Sequence, residues 1–208
     1  KNLNLNLNEL VKTCRDKIKV LLIANPNQPT GTVLNSPVLK KIINLSKKYK
    51  FLLVFDEAYV EFTSKKSLVY LTAKHKNIII TRTFSKAFGL AGIRLGYIIS
   101  NKSNISYISK MRTGYETNSY SMEVGSYFID NYNLITKYIK EVKLGLKIFR
   151  QKLKRKNIQF VGGLNSCFIF LNLKNQKLYK MTINQLKKEN IYVRGGWPEP
   201  YNNYILVS

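Results

Sequence analysis

The sequence predicts an α/β fold, in which a mostly parallel sheet is sandwiched by helices and is followed by a smaller α+β domain. Short apolar runs at residues 20–24, 51–55 and 78–80 alternate with stretches of helical periodicity. After residue 99 the pattern changes to a long helical region followed by further short strands. Buried runs that alternate with helices are typical of parallel strands covered on both faces, which gives the first part of the prediction.

Helical patterns fill the stretches between the apolar runs of the first half. Leu7 and Leu10 share one face of a short helix before the first run. Ser36 and Pro37 predict the N-cap and the first residue of a second helix, because proline is favoured in the first turn. Residues 68–74 predict a third helix, which precedes the strand at residues 78–81.

The second half contains one long helical pattern and several short strands. We predict a helical region over residues 121–156, a strand at residues 168–171, a helix around residues 178–188 and a strand at residues 191–193.

The change of character near residues 118–121 marks a domain boundary. We therefore assign residues 1–118 to part of a large domain, and residues 119–208 to a connector helix and a small C-terminal domain that is truncated at its end. The last apolar run, residues 204–207, continues almost to the final residue. We expect the chain to be a fragment of a longer protein.

Composition excludes several functional classes. The chain has 208 residues, of which 45% are hydrophobic, so a buried core is available. Its formal charge of +24 would suit a nucleic-acid partner, but the basic residues are spread along the chain and the densest groups fall at predicted helix ends. No apolar run is long enough for a membrane helix, and Cys14 and Cys167 form neither a disulfide framework nor a zinc set. We therefore expect a cytoplasmic protein with no metal, nucleic-acid or membrane partner.

Three polar loops follow the three apolar strands, at the edge of a sheet where ligands bind in open α/β folds. The loops cover residues 25–31, 56–59 and 83–97. They contain a lysine that can form a Schiff base with a carbonyl, and hydroxyls, a glycine-rich turn and an arginine that suit a phosphate dianion. They also contain an aspartate that can keep a pyridine nitrogen protonated and a tyrosine that can bond a phenolic oxygen. Pyridoxal phosphate requires all of these groups.

The same loops resemble a known family. Asn-Pro-Asn-Gln-Pro-Thr-Gly at residues 25–31, Asp-Glu-Ala-Tyr at residues 56–59 and Thr-Phe-Ser-Lys-Ala-Phe-Gly-Leu-Ala-Gly-Ile-Arg-Leu-Gly-Tyr at residues 83–97 resemble the motifs of the fold-type I aminotransferases of class I and II. The chain is most similar to the histidinol-phosphate aminotransferase branch, over nearly all of its length. This resemblance implies an aspartate aminotransferase-like large domain, pyridoxal 5'-phosphate as cofactor, a homodimer and a biosynthetic transferase activity.

The resemblance also implies a role for each matching residue. Lys86 is the Schiff-base lysine and proton carrier, Asp56 the partner of the pyridinium nitrogen, and Tyr59 the partner of the ring oxygen. The cofactor phosphate is assigned to Thr83, Ser85 and Arg94, the ring oxygen also to Gln28, and the substrate to Arg194.

Three departures from the family pattern limit these assignments. The family's chain extends well before Lys1, and that part normally supplies further cofactor contacts. Gln28 stands where the family usually has asparagine, and Leu206 stands where it usually has the arginine that binds the substrate carboxylate. Since leucine cannot replace an arginine–carboxylate pair, we expect a substrate whose recognition depends on another group, such as a phosphate.

These observations predict a pyridoxal-phosphate-dependent aminotransferase that acts on a small, phosphate-bearing amine or keto substrate. Two alternatives remain open. A phosphoamino-acid decarboxylase needs the same residues around the cofactor, because both reactions use the same electron sink. An inactive, truncated remnant would explain Gln28, Leu206 and the shortened chain, but not the presence of Lys86, Asp56, Tyr59 and Arg94 together.

Overall fold

The computed structural model describes residues 5–15 and 18–208. In chain order, its helices and strands are α1 Leu7–Arg15, β1 Val20–Ala24, α2 Ser36–Tyr49, β2 Leu52–Asp56, a 3-10 turn Val60–Phe62, α3 Tyr70–Lys74, β3 Ile78–Thr83, a 3-10 turn Ala91–Ile93, β4 Gly96–Ile99, α4 Lys102–Ser109, α5 Ser119–Asp130, α6 Tyr132–Arg155, β5 Gln159–Gly162, β6 Ile169–Asn172, α7 Gln176–Lys188 and β7 Tyr204–Val207.

The first sheet has the order β1-β2-β3-β4. Strands β1, β2 and β3 are parallel, and β4 pairs antiparallel with β3. The prediction of a mostly parallel sheet with helices is therefore confirmed. Because the three parallel strands end at the same edge, Ala24, Asp56 and Thr81 lie in register across it.

Helices α1, α2 and α3 cover one face of this sheet. That face presents Leu53, Phe55, Ile78 and Ile80, which are fully buried in a cluster with apolar residues of the three helices. On the opposite face, called the open face below, Leu22 is exposed whereas Ile79 is buried, and a second helical layer stays a prediction. Alternation along each strand explains how one strand can have one buried and one exposed face.

The second sheet is antiparallel, with the order β5-β6-β7. Ile169, Leu171 and Ile205 face α6 and α7, and they pack with apolar residues of those helices. On its other face, Phe170 and Leu206 pack with Tyr59 of the first half. The sheet is thus joined to the first half by a shared core, and the predicted division at residue 118 stays a prediction.

Three local predictions differ from the structure, and one strand was not predicted. Asn35, rather than Ser36, caps α2, since its side chain accepts from the Val38 N–H at 2.9 Å. The long helical region is two helices, α5 and α6, because Asn131 leaves helical geometry and its amide donates to the Tyr127 carbonyl at 2.8 Å.

The other two differences concern strands. Residues 191–193 form no strand; pairing is limited to a single bridge between Arg194 and Leu206. Strand β5, which the sequence pattern did not indicate, is short and largely half-buried.

Helices in the described part of the chain are too short or too polar to cross a membrane. Over residues 5–15 and 18–208, no three His, Cys, Asp or Glu side chains are grouped closely enough to hold a metal ion. Cys14 and Cys167 are free thiols.

Candidate active site

Asp56 ends β2 at the carboxyl edge of the first sheet. Its Oδ1 accepts a hydrogen bond from the Ala58 N–H at 3.0 Å and another from the Thr81 hydroxyl at 3.3 Å. Both bonds go to one oxygen, so Oδ2 has no hydrogen-bond partner among the described residues. The carboxylate is held in place and keeps an acceptor for a ligand.

The neighbouring carboxylate, Glu57, points to the other side of the strand and is only 1% exposed. It accepts from the Ser67 hydroxyl at 2.8 Å and from the Leu68 N–H at 2.6 Å. It also forms a salt bridge with Arg82, whose Nη2 lies 2.9 Å from Oε2. Both carboxylate oxygens of Glu57 are therefore bonded within the protein, whereas Oδ2 of Asp56 is available to a ligand.

Tyr59 lies on the turn after Asp56 and is only 4% exposed. Its ring packs edge-on against Phe168, with the ring centroids 5.0 Å apart. Burial, with smaller effects from Cys167 and Asp56, raises the pKa of Tyr59 to about 12, while Arg194 opposes that rise. The hydroxyl is consequently protonated at neutral pH and can donate a hydrogen bond.

Lys86 lies on the loop after β3 and its side chain is exposed. Its Nζ is 5.5 Å from the centroid of the Tyr59 ring. The loop is anchored by Phe84, Ala87 and Phe88, which are buried on either side of the lysine. Burial of its neighbours therefore holds Lys86 beside Tyr59 while leaving the amine accessible.

Thr83 and Ser85 shape the start of this loop. The Thr83 hydroxyl accepts from the Ser85 N–H at 3.0 Å, which is a local turn that orients the chain leading to Lys86. Both residues are half-buried. Their shared role in binding the cofactor phosphate stays a prediction.

Arg94 closes the same loop. It adopts a left-handed backbone conformation with φ of 54°, and its Nη1 donates to the Ala91 carbonyl at 3.0 Å. Backbone bonds from Phe84 N to Leu95 O at 3.1 Å and from Leu90 N to Phe84 O at 3.0 Å bring the two ends of the loop together. The remaining guanidinium donors are exposed at the loop surface.

Arg194 comes from the second half of the chain. Backbone hydrogen bonds of 3.2 Å and 2.8 Å connect it to Leu206, so its position is set by β7. Its guanidinium carbon lies 4.8 Å from the centroid of the Trp197 ring. Trp197 packs against the apolar cluster that contains Tyr59, so Arg194 lies on the same side of the molecule as Tyr59, and its contact with the substrate stays a prediction.

Gln28 is the predicted cofactor residue that the structure does not bring into contact with the others. Its side chain is exposed and forms no hydrogen bond with the described residues. Its neighbours are engaged: Asn27 accepts from the Thr30 hydroxyl at 2.8 Å, and Asn25 accepts from the Leu34 N–H at 2.9 Å. A cofactor contact at Gln28 stays a prediction.

The described residues also form a cavity of about 330 Å³ between the end of β1 and the start of α2. Its lining includes Ile23, Asn27 and Val38, but none of the predicted cofactor residues. Asp56, Tyr59 and Lys86 do not line this cavity.

Comparison with known proteins identifies the family. The model of the aminotransferase class I and II family matches residues 1–202. The chain belongs to that family. Histidinol-phosphate aminotransferase 2 of Legionella pneumophila (strain Lens) is 32% identical over 211 residues, covering 100% of this chain and 56% of the relative. Dihydroxyacetone phosphate transaminase of Campylobacter jejuni is 35% identical over 195 residues, covering 93% of this chain and 52% of the relative.

A solved aminotransferase structure shares the fold. Histidinol-phosphate aminotransferase from Sinorhizobium meliloti, in complex with pyridoxal-5'-phosphate, superposes with a TM-score of 0.84 at 21% identity. The match covers 98% of this chain and 56% of that one. The chain thus spans about half the length of the relatives it matches.

Sequence reasoning missed three residues that lie beside Asp56 or Tyr59 in the candidate site: Thr81, Cys167 and Phe168. Thr81 could have been found, because it lies two residues before Thr83 and therefore on the same face of β3. Cys167 and Phe168 contact the Tyr59 region from 108 or more positions along the chain. Local sequence contains no signal for such a contact.

Proposed function

We propose that the protein to which this chain belongs is a pyridoxal-phosphate-dependent aminotransferase that acts on a small, phosphate-bearing amine or keto substrate. The observation that supports it most directly is the position of the Lys86 amine, 5.5 Å from the ring of the buried Tyr59. Asp56 and Arg194 both affect the pKa of the same tyrosine. An accessible amine beside a protonated phenol and an anchored carboxylate suits this cofactor.

The donor and acceptor groups of the site fit pyridoxal phosphate. The unpartnered Oδ2 of Asp56 can accept from a protonated ring nitrogen, and the Tyr59 hydroxyl can donate to the ring oxygen. Ser85, Thr83 and Arg94 supply hydroxyl and guanidinium groups for the phosphate. When bound, the cofactor supplies an electron sink for bonds at the substrate's α-carbon.

The chain's own residues then hold the reactants and move a proton. Lys86 would hold the cofactor through its Nζ, and the same amine would carry a proton at the substrate's α-carbon. Thr81 positions Asp56 by its hydrogen bond at 3.3 Å. Arg194, exposed and steadied against Trp197, offers donors to an anionic group of the substrate.

Two observations support a phosphate-bearing substrate. Leu206, at the place of the family's carboxylate-binding arginine, is buried in the apolar cluster that contains Tyr59 and therefore offers no charge. The two relatives compared above are named for histidinol phosphate and dihydroxyacetone phosphate. By the family resemblance we also propose a homodimer, a cytoplasmic location, and the division into residues 1–118 and 119–208.

The test is covalent capture of the cofactor by the intact gene product. We expect a visible absorbance band with pyridoxal phosphate, and mass spectrometry after borohydride reduction should find the cofactor on Lys86. Lys110 provides a matched control, since its Nζ lies 4.9 Å from the Tyr107 ring. Lys86→Ala should abolish the label and Lys110→Ala should leave it; no label on the folded wild-type protein contradicts the proposal.

A second measurement separates the reactions. A phosphorylated amine should bleach the band and give a keto product, whereas an ordinary amino acid should react at least tenfold more slowly. Release of carbon dioxide without a keto-acid acceptor would instead establish the decarboxylase.

A further inference from the structure

Arg194 lies on a connection that has almost no regular secondary structure. Residues 189–203 join α7 to β7, and their one element of pairing is the bridge between Arg194 and Leu206. Neither of the salt bridges formed by the described residues involves Arg194, and its side chain is exposed. An arginine that binds a substrate in one geometry needs a support that limits its orientations.

Tyr179 of α7 forms a hydrogen bond with this connection. The Gly196 N–H donates to the Tyr179 hydroxyl at 3.0 Å. Among the described residues, it is the only hydrogen bond between a side chain and residues 194–197. Gly196 has a φ of 73°, a left-handed conformation that favours glycine. The bond therefore fixes the connection at a residue whose conformation few other residues adopt.

The ring of Tyr179 is itself held by the core of the second half. Tyr179 packs against the apolar cluster that contains Leu146, Ile169 and Ile205. Its helix is capped at the N-terminus, where the Asn175 side chain accepts from the Leu178 N–H at 2.9 Å. A tyrosine side chain has few rotatable bonds, so a packed ring gives its hydroxyl a defined position.

Gly195 leaves room for the Tyr179 hydroxyl. A Cβ at position 195 would overlap that hydroxyl and would lie 3.0 Å from Tyr179 Cζ. Gly195 does not have a positive φ, so its backbone conformation does not account for the glycine. The close approach of Tyr179 does account for it. Tyr179 and Gly195 therefore form one complementary contact.

Trp197 supports the guanidinium of Arg194. The guanidinium carbon lies 4.8 Å from the centroid of the indole ring, a distance at which a cation and an aromatic face attract each other. The indole ring packs edge-on against Phe170, with centroids 5.3 Å apart, and against the apolar cluster that contains Tyr59. Arg194 thus rests on a ring that the core holds in place.

The two residues between Arg194 and Trp197 are the glycines that contact Tyr179. We infer that Tyr179 is a positioning residue for Arg194: its hydroxyl holds residues 195 and 196, so that the guanidinium lies on the Trp197 ring before a substrate binds. This inference rests on the proposed function, in which Arg194 binds an anionic group of the substrate. A pre-positioned arginine strengthens substrate binding, because less freedom is lost when the complex forms.

The first test is the substitution Tyr179→Phe in the intact gene product, which removes only the hydroxyl. We expect the KM of a phosphorylated amine to rise about tenfold while kcat changes by less than about twofold, because the lost contribution is to substrate binding. Tyr192→Phe is the matched control, since Tyr192 is 79% exposed on the same connection, and it should leave both constants unchanged.

A second substitution separates positioning from a general loss of stability. Gly195→Ala should raise KM by a similar factor, because the new methyl group displaces the Tyr179 hydroxyl. When it is added to Tyr179→Phe, it should raise KM little further, since both changes act on one contact. Independent, additive effects of the two substitutions would contradict the inference.

A fluorescence readout requires neither cofactor nor activity. Trp197 is the single tryptophan of the 208 residues, and subtracting the emission of a matched Trp197→Phe protein isolates its signal in the intact gene product. Its indole nitrogen is buried. We expect acrylamide to quench this emission about twofold more strongly in Tyr179→Phe than in the wild type or Tyr192→Phe. Inorganic phosphate, added at constant ionic strength, should change the emission with a Kd about fivefold higher in Tyr179→Phe.

Three results overturn the inference: Trp197 is quenched equally in Tyr179→Phe and the wild type, the loss falls on kcat instead of KM or the phosphate Kd, or Tyr192→Phe has the same effects. A tyrosine that only packs in the core would lower the free energy of unfolding and leave quenching and KM unchanged. Absence of a label on Lys86 contradicts the proposed function, whereas the quenching and the phosphate Kd still decide the role of Tyr179.

Discussion

The two faces of the first sheet are built from the same strands and differ in almost every other respect. On one face, Leu53 and Phe55 are fully buried beneath helices; on the other, Leu22 is 63% exposed. The two adjacent carboxylates divide in the same way. Glu57 turns inward to Arg82, whereas Asp56 ends the open face and keeps a free oxygen. The comparison teaches that the covered face maintains the fold, while the predicted partner of the cofactor, Asp56, lies at the end of the open face.

Truncation of a buried side chain should show the largest difference between the two faces. Phe55→Ala removes a fully buried ring, and we expect it to lower the free energy of unfolding by about 3–5 kcal/mol. Leu22→Ala, on the open face, should change it by less than about 0.5 kcal/mol. Urea unfolding of the 208-residue chain measures both, and equal losses would mean that the open face is covered.

The adjacent carboxylates provide the next test. Glu57→Ala leaves Arg82, Ser67 and the Leu68 N–H without their buried partner, so we expect a loss of about 3 kcal/mol. Asp56→Ala removes hydrogen bonds at a half-buried site and should cost about 1 kcal/mol, but should abolish cofactor capture. Glu57→Gln should fall between the two. A larger loss of unfolding free energy in Asp56→Ala than in Glu57→Ala would contradict the assignment of a structural role to Glu57 and a cofactor role to Asp56.

Tyr59 should make the protein sensitive to alkaline pH. Its pKa in the folded state, about 12, is above the ordinary value of 10, so the protonated form is favoured by folding. This contribution is complete below pH 10 and is lost as pH rises toward 12. Since each unit of pKa corresponds to about 1.4 kcal/mol, we expect a difference of at most about 3 kcal/mol between the wild type and Tyr59→Phe in that range.

The control for this titration is Tyr115→Phe, because Tyr115 is fully exposed. The free energies of unfolding of the two variants, plotted against pH, should run parallel below pH 9 and diverge above pH 10. Parallel profiles throughout would show that Tyr59 has an ordinary pKa.

The smallest expected effect concerns Glu61. Burial raises its pKa, its Oε2 has no hydrogen-bond partner among the described residues, and the charge of Glu57 adds to the effect of burial while Arg82 opposes it. A raised carboxyl pKa means that stability present at acid pH is lost as pH rises, so the ionised group is unfavourable at pH 7. Glu61→Gln should therefore stabilise the chain by about 0.5–1 kcal/mol at pH 7 and not at pH 4. Glu123→Gln, at an exposed position, should change nothing, and a destabilised Glu61→Gln would indicate an ionic partner.

Local sequence predicted the elements of the site well and their surroundings less well. Alternation and apolar runs indicated β1, β2 and β3, and the motifs following them contain every assigned residue except Arg194. The break between α5 and α6 was missed, because a single asparagine interrupts an otherwise continuous helical pattern. Residues 191–193 have strand composition but form no strand, since Ile191 N instead donates to the Leu186 carbonyl at the end of α7 at 2.8 Å.

The sequence by itself determined the class of fold, the family, and the order of the three loops, because apolar periodicity and motif spacing are local properties of the chain. Only the tertiary structure decided that Asp56 and Glu57 point in opposite directions, that Phe168 packs against Tyr59, and that one face of the sheet is open. Those features depend on contacts between residues distant in the chain. Burial of a strand face is a property of what packs on it, and the strand's own residues are the same whether that layer is present or absent.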